Sequence, residues 1–416
     1  MADGDDTHRP TGPHRAGTGH GRFVVPLVGM RPRGRDEPHR AATPLELFFD
    51  LCFVVAVAQA GARLVHALAE GHPALGVGGY LAVFFAIWWA WVNFTWFASA
   101  YDCDDVPYRL ATFTQMVGVL VLAAGIDRAF DEGDFGVVVT GYIIMRLALT
   151  CQWLRAARGE SGAGRRTALR YAGGLAAVQA GWVALVLLPD EAWAWGFLPL
   201  VAAELAVPAI AEHRQPTGWH PHHIAERYGL FTIIMLGESI AAATVGVKSG
   251  LEGEAGFPTL LPIVAGGLLI VFSAFWIYFA VPIHTYLVSD RQAFGWAYGH
   301  YVILGAAATV GAGIEVAVEH TTGHAGIPDW WAGAAVTVPA ALFLAAVWLL
   351  HARHFKRGPA QQLVLPVSAV LVLACAPAGR WGVLLAGVVM ACAVALGVVL
   401  ASRRPDPSAP GPPGGP

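Results

Sequence analysis

The chain has 416 residues, 56% hydrophobic and only 13% charged, with a formal net charge of −3. Long uncharged runs recur from Leu45 to Ser402, which excludes an ordinary soluble domain, and the arginines at their ends give no reason to expect a nucleic-acid partner. Runs of about 20 apolar residues cross a bilayer as helices and are too long and continuous for barrel strands, so the expected fold is an all-α polytopic membrane protein with about twelve transmembrane helices.

In chain order, residues 1–40 are rich in Gly, Pro, His, Asp and Arg, with one apolar patch, Phe23 to Met30, too short for a signal-peptide core. They are expected to form a disordered tail, as is the Pro/Gly-rich end, 403–416. Hydropathy and charge breaks predict spans at 45–66, 78–100, 109–127, 135–154, 170–188, 194–211, 225–247, 259–282, 294–317, 331–350, 362–377 and 381–401. With the N-terminus inside, 21 of the 26 Lys and Arg fall on the inner side or at its span ends, 4 fall outside, and Arg146 lies within a span. That bias predicts an even number of spans with both termini cytoplasmic. Five scattered cysteines, Cys52, Cys103, Cys151, Cys375 and Cys392, form no CxxC pair. Neither a disulfide framework nor a metal site is expected.

The chain also repeats itself. AIWWAWVNFTWF in the second span resembles SAFWIYFAVPIH in the eighth, 187 residues on. The acidic connections that follow, DCDD and SDR, are 186 apart; Gln115 and His300 are 185 apart, and Phe48 and Phe231 are 183 apart. A near-constant offset predicts two parallel six-helix repeats, 41–212 and 213–402, and repeats of this kind place a site at their interface near mid-membrane.

Polar residues inside apolar spans are the candidate site, because a charge in lipid must face a partner or a wet cavity. Glu46 and Asp50, four apart, share one helix face; Glu46 also fits a TPLE capping box behind Thr43. Arg227 and Glu238 are three turns apart on the face that carries Phe231 and Ile234. Arg146, in GYIIMRLALT, needs a carboxylate, and Asp50, Glu238 and Glu204 are the candidates. Gln115 and His300 are the paired polar positions of the third and ninth spans, for which interhelical hydrogen bonding is the plain alternative. His222 and His223 diverge by about 100° on a helix, so they do not converge on a metal. The tryptophans, among them Trp88, Trp89, Trp91, Trp96 and Trp276, read as packing and interfacial anchors, with a stacking surface for an organic substrate as the alternative. Walker A, HExxH and GxSxG motifs are absent. No catalytic residues and no cofactor are expected.

PLELFFDLCFVVAVAQ, HIAERYGLFTIIMLGESIAA and the DCDD after the Trp-rich second span together resemble the bacterial low temperature requirement A family, over roughly residues 41–400. The resemblance implies a multi-spanning protein of the bacterial inner membrane linked to growth in the cold, without supplying a mechanism. Phe48, Asp50, Phe53 and VVAVA are also similar to the first-helix signature of endolysosomal potassium channels and their bacterial relatives, with Phe49 where that family has Ser and Ile233 opposite Asp50 in the second half.

The functional expectation is a transporter or channel-like protein with a polar path between the repeats lined by Asp50, Glu238 and Arg146. Its expected partners are membrane lipids and an ion, a proton or a small solute. Two alternatives stand beside it: a membrane enzyme or lipid-modifying factor that uses the same carboxylates, and a structural protein in which the charges are bridges.

Overall fold

A computed structural model describes residues 27–34, 37, 40–189, 191–252 and 256–402. Every regular element among them is helical: α1 Pro44–Ala69, α2 Pro73–Tyr101, α3 Val106–Ala124, α4 Gly136–Gly159, α5 Gly162–Leu187, α6 Glu191–Glu212, α7 Pro221–Glu252, α8 Phe257–Tyr278, α9 Asp290–Thr321, α10 Asp329–Val347, α11 Pro359–Ala374 and α12 Gly379–Ser402, with short helical turns at Ile126–Asp131 and Arg353–Phe355. Among the described residues, eleven helical stretches are long and apolar enough to cross a membrane. The last of these, Pro359–Ser402, is α11 and α12 joined by a 3-10 turn and by Gly379 at φ +56°. Gln361 at its start donates to the carbonyl of Leu400 near its end at 2.9 Å. The chain therefore reverses there, which divides this stretch into two helices.

Local chemistry explains the starts of the helices. Thr43 caps α1, accepting from the backbone of Glu46, whose carboxylate accepts in return from the Thr43 amide, and Pro44 takes the first helical position, where its missing N–H costs nothing. Asp105 caps α3 and Ser289 caps α9 in the same way. Both caps follow the long aromatic helices α2 and α8, in the connections expected to correspond.

Packing repeats along the chain. In 44–212 the first helix packs on the second and third, the third on the fourth, the fourth on the fifth and the fifth on the sixth; these neighbours recur in 221–402, where the second helix also packs closely on the sixth. Small residues let the backbones approach, as membrane helices require. A Cβ on Gly141 would stand 2.3 Å from the Leu122 nitrogen, and one on Gly313 would stand 2.1 Å from the Ala335 carbonyl. The two sets meet where α1 lies on α9 and α7, and where α2 lies on the same two helices. Counted from the prolines that open α1 and α7, Asp50 is level with Arg227 rather than with Ile233, and Phe48 is exposed where Phe231 is buried. The apolar match 183 residues apart follows hydropathy, not the helix starts, which lie 177 residues apart.

Much of the expected N-terminal tail lies outside the described residues, but the described part, 27–34, 37 and 40, packs against the helix ends. The Val28 amide donates to Asp105 at 2.8 Å, the Arg33 amide donates to the Ala100 carbonyl at 2.9 Å, and Met30 is buried. Arg40, itself buried, donates to the carbonyls of Ala98 and Ser99 at the end of α2. Asp105 is buried, which opposes its charge, but hydrogen bonds from Arg155 and from the amides of Val28 and Tyr108 hold its carboxyl below the usual range. The C-terminal tail, 403–416, lies outside the described residues.

Asp102 sits under this strap. Burial, reinforced by the negative charge of Glu46 and opposed by Arg40 and Arg33, pushes its carboxyl up to about 6. The folded state thus holds this proton more tightly than the unfolded chain, whose Asp titrates near 4. The penalty for ionised Asp102 is present above pH 6 and disappears as the pH falls through 6 toward 4. Asp102→Asn is expected to raise the unfolding midpoint at pH 7.5, by up to about 3 kcal/mol in stability, and to flatten the gain that the wild type shows between pH 7.5 and 5. Thermal unfolding of both proteins in detergent at the two pH values measures it.

Candidate functional site

The N-terminal turns of α1 and α7 bring four ionisable side chains together in a dry setting. Glu46 and Asp50 lie one helical turn apart on α1; His223 and Arg227 lie one turn apart on α7, at the same distance from the opening proline. Arg227 bridges both acids, with Nη1 2.9 Å from Glu46 and Nη2 2.5 Å from Asp50. His223 Nε2 lies 3.1 Å from Glu46. Trp91 of α2 donates its indole N–H to Asp50 at 2.7 Å, and its ring stacks on Phe231 at 4.3 Å. All four charged or titratable side chains are at most 1% exposed. Residues at equivalent positions meeting one another is the geometry of a two-fold-like contact, here with acids on one side and bases on the other.

The arithmetic of this cluster is uneven. Two carboxylates face one obligatory cation, so one further proton, on His223 or on a carboxylate, balances the charges. Asp50 Oδ2 and His223 Nδ1 are buried without a hydrogen-bond partner among the described residues. The cluster thus keeps an acceptor and a titratable ring left over.

Arg146 does not join it. Its partner is Glu204 of α6, and both are buried. The same carboxylate accepts from Trp89 at 3.0 Å, from Gln179 at 3.0 Å and from Trp182 at 3.3 Å, while the Tyr142 ring lies 5.2 Å from the guanidinium carbon. This network joins α2, α4, α5 and α6 inside the first set of six helices. Of the three candidate acids Arg146 thus meets Glu204, within one set of helices, and is not brought to Asp50 or Glu238.

Gln115 donates to Gln152 across α3 and α4 at 3.0 Å. His300 bonds Trp296 O at 2.8 Å and the Tyr278 hydroxyl at 3.0 Å. Both are interhelical or local hydrogen bonders, and their partners are not equivalent. Glu238 lies eleven residues beyond Arg227 on α7, about 16 Å along the helix. It lines a cavity of about 200 Å³ between α1, α7 and α9, walled by small residues such as Gly61, Ala242 and Gly311 and shared with a second carboxylate, Glu315. Among the described residues no group of three metal-ligating side chains converges.

Sequence reasoning missed His223 as a partner of Glu46, Trp91 as a donor to Asp50, and Glu315. The first was signalled by matched four-residue spacing in HHIAER and PLELFFD. Glu315 was signalled as a carboxylate inside the predicted span 294–317, and Trp91 had no signal, since it comes from another helix.

Residues 41–402 match the family described as bacterial low temperature requirement A protein (LtrA). The chain belongs to that family. An uncharacterized protein of Rhizobium meliloti (strain 1021) is 30% identical to it over 259 residues, a stretch that covers 60% of this chain and 60% of that relative. Both motifs of the candidate site, around Asp50 and around Arg227, fall within the family match. As a family member with these helices, the chain is a multi-pass membrane protein in contact with lipid.

Proposed function

We propose that this LtrA-family protein is a transporter or channel-like protein of the bacterial inner membrane, with both termini cytoplasmic, that moves a cation or proton between its two six-helix halves. The observation that carries the reading is that two polar features occupy one interface in series: the cavity with Glu238 and Glu315, and the Glu46–His223–Arg227–Asp50 cluster about three helical turns away on the same helices. Two carboxylates that share a small-residue cavity attract a cation, and a charge cluster with a proton to gain or lose is a natural gate. A purely structural role describes Arg146 and Glu204, which stay inside one set of helices, whereas the Asp50 cluster lies where the two sets meet. The link to growth in the cold would follow if cation balance limits growth at low temperature.

The test is flux. Purified protein in liposomes is expected to pass protons or monovalent cations above the level of empty liposomes, and Glu238→Gln is expected to bring the flux close to that level. Flux equal to that of empty liposomes for protons, sodium and potassium alike would sink the reading.

A further inference from the structure

A groove of about 330 Å³ lies between the end of α8, the start of α11 and the last turns of α12, away from the interface of the two sets of helices. That volume falls in the range of small-ligand sites, about 300–1,000 Å³. Ala393, Gly397 and Ala401 form its α12 wall. They stand four residues apart on one helix face, so the wall carries almost no side-chain bulk over about 12 Å. Trp276 and Val398, 56% and 47% exposed, mark its open side, and a tryptophan in the last turn of a membrane helix is the usual anchor at the lipid–water boundary. The groove also holds a charge. Lys356, half-buried between α10 and α11, lines it. Every lining residue comes from 257–289 or 330–402, and neither stretch contains an Asp or Glu. Burial accordingly pushes the Lys356 ammonium below its ordinary range, with no carboxylate to raise it. Arg353 and Arg357 flank it in the chain, so this connection holds three cations in five residues.

We infer that this groove binds an anionic phospholipid, with one acyl chain along the small-residue wall of α12 and the headgroup at Lys356. In a chain that crosses the bilayer, an apolar groove open between helices is filled by an acyl chain, and a basic residue at its end selects the headgroup by charge. A zwitterionic headgroup would bring a cation of its own beside three others, whereas an anionic one supplies the counter-charge that these stretches lack. The chain's own continuation, 403–416, begins with two arginines and holds no apolar run, so it complements neither the charge nor the wall. The inference does not rest on the proposed transport path: the groove uses neither Glu238 nor the Arg227 cluster.

Native mass spectrometry of the purified full-length protein in detergent, titrated with phosphatidylglycerol or with phosphatidylcholine of the same acyl chains, tests it. Phosphatidylglycerol is expected to bind saturably and at least about fivefold tighter than phosphatidylcholine, the worth of one Lys near an anionic surface. Lys356→Gln should weaken phosphatidylglycerol about fivefold and leave phosphatidylcholine unchanged. Gly397→Phe, at a position where a Cβ meets nothing within 4 Å, should weaken both lipids, because the ring takes the place of the acyl chain. Equal affinity for the two lipids, a Lys356→Gln protein that discriminates like the wild type, or a Gly397→Phe protein that binds phosphatidylglycerol like the wild type would each overturn the assignment. So would inorganic phosphate that binds as tightly as the lipid, which would mark a site for the free anion. Should Gly397→Phe fail to fold, Lys356→Gln decides alone: lost discrimination supports the groove and retained discrimination refutes it.

Discussion

Arg227→Leu is expected to destabilise the protein by about 3–5 kcal/mol, the scale for removing one partner of a buried ion pair. The cause is that one guanidinium bridges two carboxylates at 2.9 and 2.5 Å, and both acids are at most 1% exposed. Without it Glu46 keeps only His223 and its cap bonds, and Asp50 keeps only the Trp91 indole. Adding Asp50→Asn to Arg227→Leu removes one stranded charge and should restore more than half of the loss. Arg227→Lys should fall between, because an ammonium cannot fork to two carboxylates as a guanidinium does. Unfolding midpoints in detergent, followed by size-exclusion of heated samples, order these variants. An Arg227→Leu midpoint equal to the wild type would mean that the acids are not held as described.

Glu204→Leu is the second large effect. This carboxylate is the acceptor for Arg146, Trp89, Gln179 and Trp182. Its removal strands a buried guanidinium together with three neutral donors, again about 3–5 kcal/mol or more. Because Glu204 lies within the first set of helices, protein that does fold should pass cations at the wild-type rate per molecule. Arg146→Leu added to Glu204→Leu should recover most of the stability. The pair thus separates a structural charge from a functional one: loss of flux in the stable double variant would show that the Arg146 network belongs to the path after all.

Much of the fold was legible because hydropathy alone marks membrane helices. The predicted spans differ from the helices chiefly at their ends, where α2 begins at Pro73 and α4 runs to Gly159, since helical turns continue past the apolar stretch. The site was legible only in part. Asp50, Glu46 and Arg227 stand out as charges in apolar sequence, but which charge meets which is set by helix rotation and crossing, which composition does not encode. Arg146 had three candidate acids, and the one it uses lies on α6, whose Glu204 and Pro208 make it a poor span by sequence; four donors around the carboxylate make it tolerable in lipid. The described part of the N-terminal segment makes contacts that composition does not announce. Polar composition predicts disorder, yet Val28, Arg33 and Arg40 hydrogen-bond to groups at the end of α2 and the start of α3.

That water enters between the halves as far as Glu238 and stops at the Asp50 cluster is tested most directly by cysteine labelling. In a background lacking the native cysteines, Ala241→Cys, beside Glu238 in the cavity wall, and Phe53→Cys, buried one turn beyond Asp50, are exposed to a membrane-impermeant thiol reagent. The expected result is modification at 241 from one side of the membrane only, with 53 protected, and exposure of 53 when Arg227→Leu opens the cluster. A cysteine at 241 that resists the reagent from both sides would contradict a water-accessible path and leave the carboxylates of this interface as packing.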